Sequence, residues 1–70
     1  MEKNSAEKLM KIYHDIGALL NDADPIIRNI KDEELKKQLI RPLGEVMADI
    51  WIKLERPIVK IFPDLDPDKK

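Results

Sequence analysis

Residues 35–62 read LKKQLIRPLGEVMADIWIKLERPIVKIF, and this stretch decides the fold. Its apolar side chains recur every three or four residues, which is the spacing that places side chains on one face of an α-helix. Two neighbouring apolar rows can be read at this spacing. The first row is Leu35, Leu39, Leu43, Val46, Ile50, Leu54, Ile58 and Ile61, and the second is Ile40, Met47, Trp51, Ile58 and Phe62. Together the rows make a face that is too wide for one neighbouring helix to cover.

Pro42 and Pro57 interrupt this stretch, and a proline inside a helix costs about 3 kcal/mol because it removes a hydrogen bond and crowds the preceding turn. The apolar spacing nevertheless continues past both prolines. We therefore expect a bent helix, or two abutting helices that run in nearly one direction. A strand is the alternative for residues 58–62, which are rich in β-branched side chains. One strand alone would have nothing in this chain to pair with, so we predict helix.

A first amphipathic helix is predicted from Ala6 onward. Its apolar face is formed by Leu9, Ile12, Ile16 and Leu19, which recur at helical spacing. Asn4 and Glu7 have the spacing of a capping box, so residues 1–5 are expected to be a frayed entry to this helix.

Residues 21–25, NDADP, predict a turn after the first helix. Asp24 would cap a second helix whose first residue is Pro25, because a proline at that position loses no intrahelical hydrogen bond. Asp32 is another candidate cap, followed by acidic residues that favour a helix start. Residues 25–31 therefore either form a separate short helix or continue into the long stretch.

The sequence thus predicts an all-α fold, a small helical hairpin or bundle with a long, proline-bent C-terminal helix. A single helical domain would occupy residues 6–62, and residues 63–70 would form a flexible tail because they contain two prolines and no apolar period. We expect the first helix to cover the row that includes Leu39 and Val46. The second row would then need another partner.

Size and composition limit how this fold can be stabilised. The chain has 70 residues, no cysteine and one histidine. Disulfides and thiolate metal sites are therefore excluded, and a zinc site made by this chain alone is disfavoured. A single core in a chain of this size contributes only a few kcal/mol unless association or cross-linking helps. Association is the remaining source of stability.

No group of side chains in the sequence predicts chemistry. Asp64, Asp66 and Asp68 imitate the start of a calcium loop but lack its later glycine and glutamate. Glu45 and Asp49 would share a helix face, yet they alternate with Arg41 and Lys53 as an ordinary row of surface ion pairs. His14 lies beside Asp15, but the sequence has no second histidine, no cysteine and no nucleophile except Ser5 near the N-terminus. We therefore predict no catalytic, cofactor-binding or metal-binding residue, and no enzymatic activity.

A second hypothesis is a small DNA-binding regulator that uses the basic residues of segment 28–41. These residues are Arg28, Lys31, Lys36, Lys37 and Arg41. Two observations disfavour nucleic acid as a partner. Thirteen basic and fourteen acidic side chains leave a net charge of −1, and Asp32, Glu33 and Glu34 lie inside the basic segment, where they would repel phosphate.

The sequence contains no apolar run as long as the roughly 18–20 residues of a membrane span, and MEKNSAEK at the N-terminus lacks the apolar core of a signal peptide. We therefore expect a cytoplasmic protein that makes no membrane contact. The preferred hypothesis is a protein-protein interaction module that forms a homodimeric helical bundle, with another protein as a second candidate partner. Its interface would be the second apolar row: Ile40, Met47, Trp51, Ile58 and Phe62.

Overall fold

The computed structural model describes residues 1–68, which contain helices and no strand. The elements are α1 (Lys3–Asn21), α2 (Ala23–Arg28), α3 (Glu33–Asp49), a π-helical turn (Ile50–Glu55), α4 (Arg56–Ile61) and a 3-10 turn (Pro63–Leu65). They form two helical arms of 26 and 29 residues, and 84% of the described residues are helical. The predicted all-α fold is confirmed, and the segment that could have been a strand is helical as far as Ile61.

The two arms run antiparallel, since the start of α1 packs against α4 and α2 contacts α3. The resulting hairpin is long and thin, with extents of 47 × 21 × 16 Å and a radius of gyration of 14.9 Å. A compact domain of this length would have a radius of gyration of about 11 Å. The chain therefore forms a single layer of two helices.

Asp32 caps α3 as predicted. Its carboxylate accepts hydrogen bonds from the backbone N–H groups of Glu34 at 3.1 Å and Leu35 at 3.2 Å. These bonds satisfy two donors that have no partner within the helix. The sequence left open whether residues 25–31 form a separate helix or continue into the long stretch. They are separate, because α2 ends at Arg28 and α3 begins at Glu33.

The other two predicted caps are wrong. Helix α1 begins at Lys3, inside the segment expected to be frayed, and its N-cap position is Glu2, with no side-chain hydrogen bond, in place of Asn4. Helix α2 begins at Ala23, so Asp24 lies within the helix, where it forms an ion pair with Arg28. Both helices begin before the capping residue that spacing alone suggested.

The chain remains helical at both prolines, but in different ways. Pro42 lies within α3, whereas Pro57 follows the π-helical turn. In that turn the N–H of Arg56 donates to the carbonyl of Trp51, five residues earlier. A wider turn just before a proline gives its ring more room against the preceding carbonyl groups.

The π-helical turn changes which side chains face inward. Five residues instead of four separate the buried Ile50 from the next buried residue, which is Glu55 at 8% exposure. Leu54 is 42% exposed. The predicted first row is therefore wrong at Leu54, because its spacing assumed an α-helix throughout.

The most buried apolar cluster lies where the two ends of the hairpin meet. Its buried members are Ala6, Met10 and Ile58, and Leu9, Tyr13, Val59, Phe62 and Leu65 pack against them. Leu65 belongs to the segment predicted as a tail, so the packed structure extends past residue 62. The remainder of that prediction, for Lys69 and Lys70, lies outside the described residues.

An ion pair between Lys3 and Asp64 also joins the two ends. The hydrogen bond to Asp64 raises the pKa of Lys3 above its ordinary value. The stabilisation from this pair is therefore present at neutral pH and is lost as the pH rises through the raised pKa of Lys3. Because both side chains are at least half exposed, its contribution to stability is small.

Candidate interaction surface

The most prominent surface feature is a row of exposed aliphatic side chains on α1. Ile12, Ile16 and Leu19 are 52%, 41% and 71% exposed. Their spacing of four and three residues places them on one face of the helix. This row has no cover within the part of the chain that the structure describes.

A matching row lies on α3. Leu35, Leu39 and Val46 are 43%, 42% and 48% exposed, and their spacing of four and seven residues also places them on one face. Leu54 and Ile61 are exposed further along the same arm. Each arm of the hairpin therefore carries exposed aliphatic side chains.

The two rows lie on the same side of the hairpin. Each exposed residue is followed at once by a partly buried one, as in Ile12 and Tyr13 on α1 or Val46 and Met47 on α3. One residue is a rotation of about 100° around the helix axis. On both helices, the exposed row is thus rotated in the same direction about the helix axis from the partly buried row that lies between the helices. For antiparallel helices, the same sense of rotation puts both open rows on one side of the layer.

We call this surface the open face and define it by the six residues of the two rows: Ile12, Ile16, Leu19, Leu35, Leu39 and Val46. The pairing predicted from the sequence, which set α1 against Leu39, Leu43, Val46 and Ile50, is therefore wrong at Leu39 and Val46. It placed the row of α1 against Leu39 and Val46 inside the hairpin, but these side chains lie side by side on its surface. Ile50, another residue of the predicted pairing, is buried.

The interface residues predicted from the sequence lie elsewhere. Ile58, at 4% exposure, belongs to the buried cluster, and Phe62 packs against that cluster. Ile40, Met47 and Trp51 are partly buried. Ile58 is therefore not available to a partner in this structure, and each of the other four offers only part of its surface.

The open face was missed because both rows of α3 are apolar at helical spacing. Adjacent apolar pairs carry the signal that could have revealed it, namely Ile12 with Tyr13, Leu19 with Leu20, Leu39 with Ile40, and Val46 with Met47. In each pair the second residue is the more buried one. Such pairs indicate a helix face wide enough to contact one helix in its own layer and another layer beside it.

The basic residues of the DNA-binding alternative do not form one free patch. Arg28 pairs with Asp24, which raises the pKa of the guanidinium, and Lys36 pairs with Glu33 at 3.2 Å. Lys31 is exposed beyond the end of α2. Lys37 and Arg41 form no ion pair in the described part of the chain, and they line an open depression of about 500 Å³ together with Gln38, Ile40 and Pro42.

The described residues contain no group of three or more histidine, cysteine or acidic side chains that could hold a metal ion. His14 is exposed. Of the two ion pairs predicted on α3, Asp49 and Lys53 are 3.4 Å apart, whereas Arg41 and Glu45 do not pair.

Glu55 is the one acidic side chain that the fold buries among residues 1–68. No hydrogen bond or ion pair involves its carboxylate in that part of the chain. No fully buried side-chain nitrogen or oxygen there lacks a partner, so the carboxylate still reaches the solvent. Its burial follows from the π-helical turn and brings no second polar group beside it.

Compared with protein-family models, with curated proteins and with solved structures, the chain has no match. None of the helices described for residues 1–68 is long and apolar enough to cross a membrane. The candidate site therefore rests on the surface of this chain alone.

Proposed function

We propose that this chain is a non-enzymatic protein-protein interaction module that associates with itself into a homodimeric helical bundle. The observation that carries the proposal is the accessible surface of the single chain, which is 5523 Å². Folded monomers follow a scaling with mass that gives about 4,500 Å² for a chain of 8.2 kDa. The hairpin thus exposes about 1,000 Å² more than a self-sufficient monomer of its size.

The layer structure supports the same proposal. A helix that is apolar on one side must bury that side, and stable domains do so with at least two packed layers. This hairpin is one layer, and among residues 1–68 only four apolar side chains are buried: Ala6, Met10, Ile50 and Ile58. A second hairpin stacked on the first would make a four-helix bundle, which has the two layers that such a domain needs.

The alternative proposal, a DNA-binding regulator, has weaker support. It rests on Lys37 and Arg41, which are the basic residues at the open depression. Two charges contribute little of the phosphate neutralisation on which DNA affinity depends, and the net charge of −1 opposes it. A gel-shift titration at low salt tests this alternative, and retardation of a duplex by the chain would favour it.

Sedimentation equilibrium over a range of protein concentrations tests the main proposal. We expect the mass to approach twice 8.2 kDa as the concentration rises to about 100 µM, where an interface of ordinary size and affinity is saturated. A chain that stays at 8.2 kDa over the whole range would refute self-association. Circular dichroism of the same samples checks that the chain is helical.

A further inference from the structure

We infer that the occupant of the open face is a second copy of this chain, so that the open faces of two hairpins meet in one interface. This inference rests on the proposed function and deepens it by naming the surface that self-association uses. It replaces the row around Trp51, which the sequence favoured and which is partly buried between the helices, by the two rows of the open face.

The area of the open face fits a second copy. A specific interface of standard size buries about 800 Å² on each partner. The hairpin exposes about 1,000 Å² more than expected for its mass, and its two exposed aliphatic rows are brought together on one side. The excess surface is therefore sufficient for a stable dimer contact.

The chemistry of the open face favours an identical partner. In a two-fold contact the same patch meets itself, so the patch must be complementary to itself in shape and charge. An aliphatic surface meets this condition because it has no charge to repel its copy. Asp15 lies beside the row of α1 and Asp49 beside the row of α3. Asp15 pairs with Lys11 at 2.9 Å and Asp49 with Lys53 at 3.4 Å, so both carboxylates are compensated within each chain. With a net charge of −1, two copies repel each other only weakly.

The opposite side of the hairpin is a poor candidate for the contact. On α1, residues Glu7, Lys11, His14 and Ala18 share a helix face and are all exposed. Each of these residues directly follows a residue of the row that faces α3, so it is rotated by about 100° from that row. This rotation is opposite in direction to that of the exposed row and places these residues on the side away from the open face. Burying such charged and polar groups without partners costs free energy. Ile52 is an exposed aliphatic residue outside the open face, because it lies two positions and nearly half a turn beyond the buried Ile50 and so points away from α1.

Thiol reactivity locates the contact directly, because the chain has no cysteine of its own. The variants Leu39→Cys and Ile52→Cys are matched in accessibility, because Leu39 is 42% exposed and Ile52 is 50% exposed in the single chain. We expect the reaction of Leu39→Cys with a soluble thiol reagent to slow roughly tenfold at a concentration where about nine-tenths of the chains are paired. The rate for Ile52→Cys should not depend on protein concentration.

Ile16→Glu provides a second measurement. A carboxylate at the centre of an apolar contact is left without a partner, and in a two-fold dimer it is present twice. We expect the dissociation constant to rise at least about 100-fold, with helical circular dichroism retained at concentrations where the variant is a monomer. Ile52→Glu introduces the same charge outside the open face and should leave the dissociation constant within about twofold of wild type.

The outcomes separate this inference from the proposed function. A wild-type chain that remains a monomer overturns both. A wild-type dimer in which Ile52→Cys is protected and Leu39→Cys is not, or in which Ile52→Glu dissociates the dimer and Ile16→Glu does not, overturns only the open face as its location. If Ile16→Glu fails to fold, the thiol reactivity of Leu39→Cys still decides the location.

Discussion

The two ends of the hairpin differ in what surrounds their apolar side chains. At the end that contains the start of α1, three segments converge, because α1, α4 and the 3-10 turn that carries Leu65 pack together. Ala6 and Ile58 are consequently buried to 0% and 4% exposure. Along the rest of the hairpin only two helices meet, and Leu19 is left 71% exposed although it is just as apolar as Ile58.

This difference shows that burial here depends on the number of segments that converge and not on how apolar a residue is. Two helices in contact can each bury only the stripe that lies between them. A third segment closes one side of that stripe, as the turn at Pro63–Leu65 does. The open face lacks such a segment in residues 1–68, and in our proposal the second copy takes that role.

The difference between the two ends of the hairpin predicts that Ile58→Ala lowers the free energy of unfolding far more than Leu19→Ala does. Removing the side chain of a buried isoleucine leaves a cavity and should lower the free energy of unfolding by about 2–5 kcal/mol. In the Ile16→Glu background, which closes the open face to a second copy, Leu19→Ala should change that free energy by less than about 0.5 kcal/mol. Urea denaturation of both variants in this background measures the two values. Similar losses at both positions would show that the hairpin protects its two halves equally.

Local features of the fold could be predicted from the sequence. The helical spacing of apolar residues predicted two helical arms, and Asp32 was identified as the cap of α3 because its short side chain precedes two acidic residues. The chain between Ile58 and Ile61 was predicted as helix because a lone strand has no partner. Each of these predictions depends on neighbours in the sequence, which is why a single sequence was sufficient.

The candidate site depends on a choice that the sequence leaves open. Both rows of α3 are apolar, so the spacing does not say whether Leu39 or Ile40 turns toward α1. The row that includes Trp51 was predicted to be the free one, because aromatic residues are enriched at interfaces. The structure places the partly buried row between the helices and leaves the purely aliphatic row outside. The direction of rotation between two helices is a tertiary property, and no local signal determines it.

The π-helical turn is the other feature that the spacing of apolar residues could not predict. Its consequence for Glu55 can be tested by substitution. Glu55 faces inward at 8% exposure and makes no hydrogen bond or ion pair in the described part of the chain. Replacing it by an apolar side chain of similar size removes a polar group that gains nothing from burial. We therefore expect Glu55→Leu to raise the free energy of unfolding by about 1 kcal/mol.

Glu7→Leu is the control for that measurement. Glu7 is exposed on α1, so the same substitution there should change the free energy of unfolding by less than about 0.5 kcal/mol in urea denaturation. A destabilised Glu55→Leu variant would show that the carboxylate makes a favourable interaction.

The smallest predicted effects concern the capping residues at the start of α3 and α1. Asp32→Ala removes the two hydrogen bonds that cap α3 and should lower the free energy of unfolding by about 1 kcal/mol. Asn4→Ala removes a side chain that was predicted to cap α1 but lies inside the helix, so it should cost at most a few tenths of a kcal/mol. Urea denaturation of the two variants in parallel measures the difference. Equal losses would mean that Asn4 does cap α1 in solution and that the first arm begins after it. Residues 1–5 would then be frayed, and Lys3 would lie outside the helix that positions it for the ion pair with Asp64.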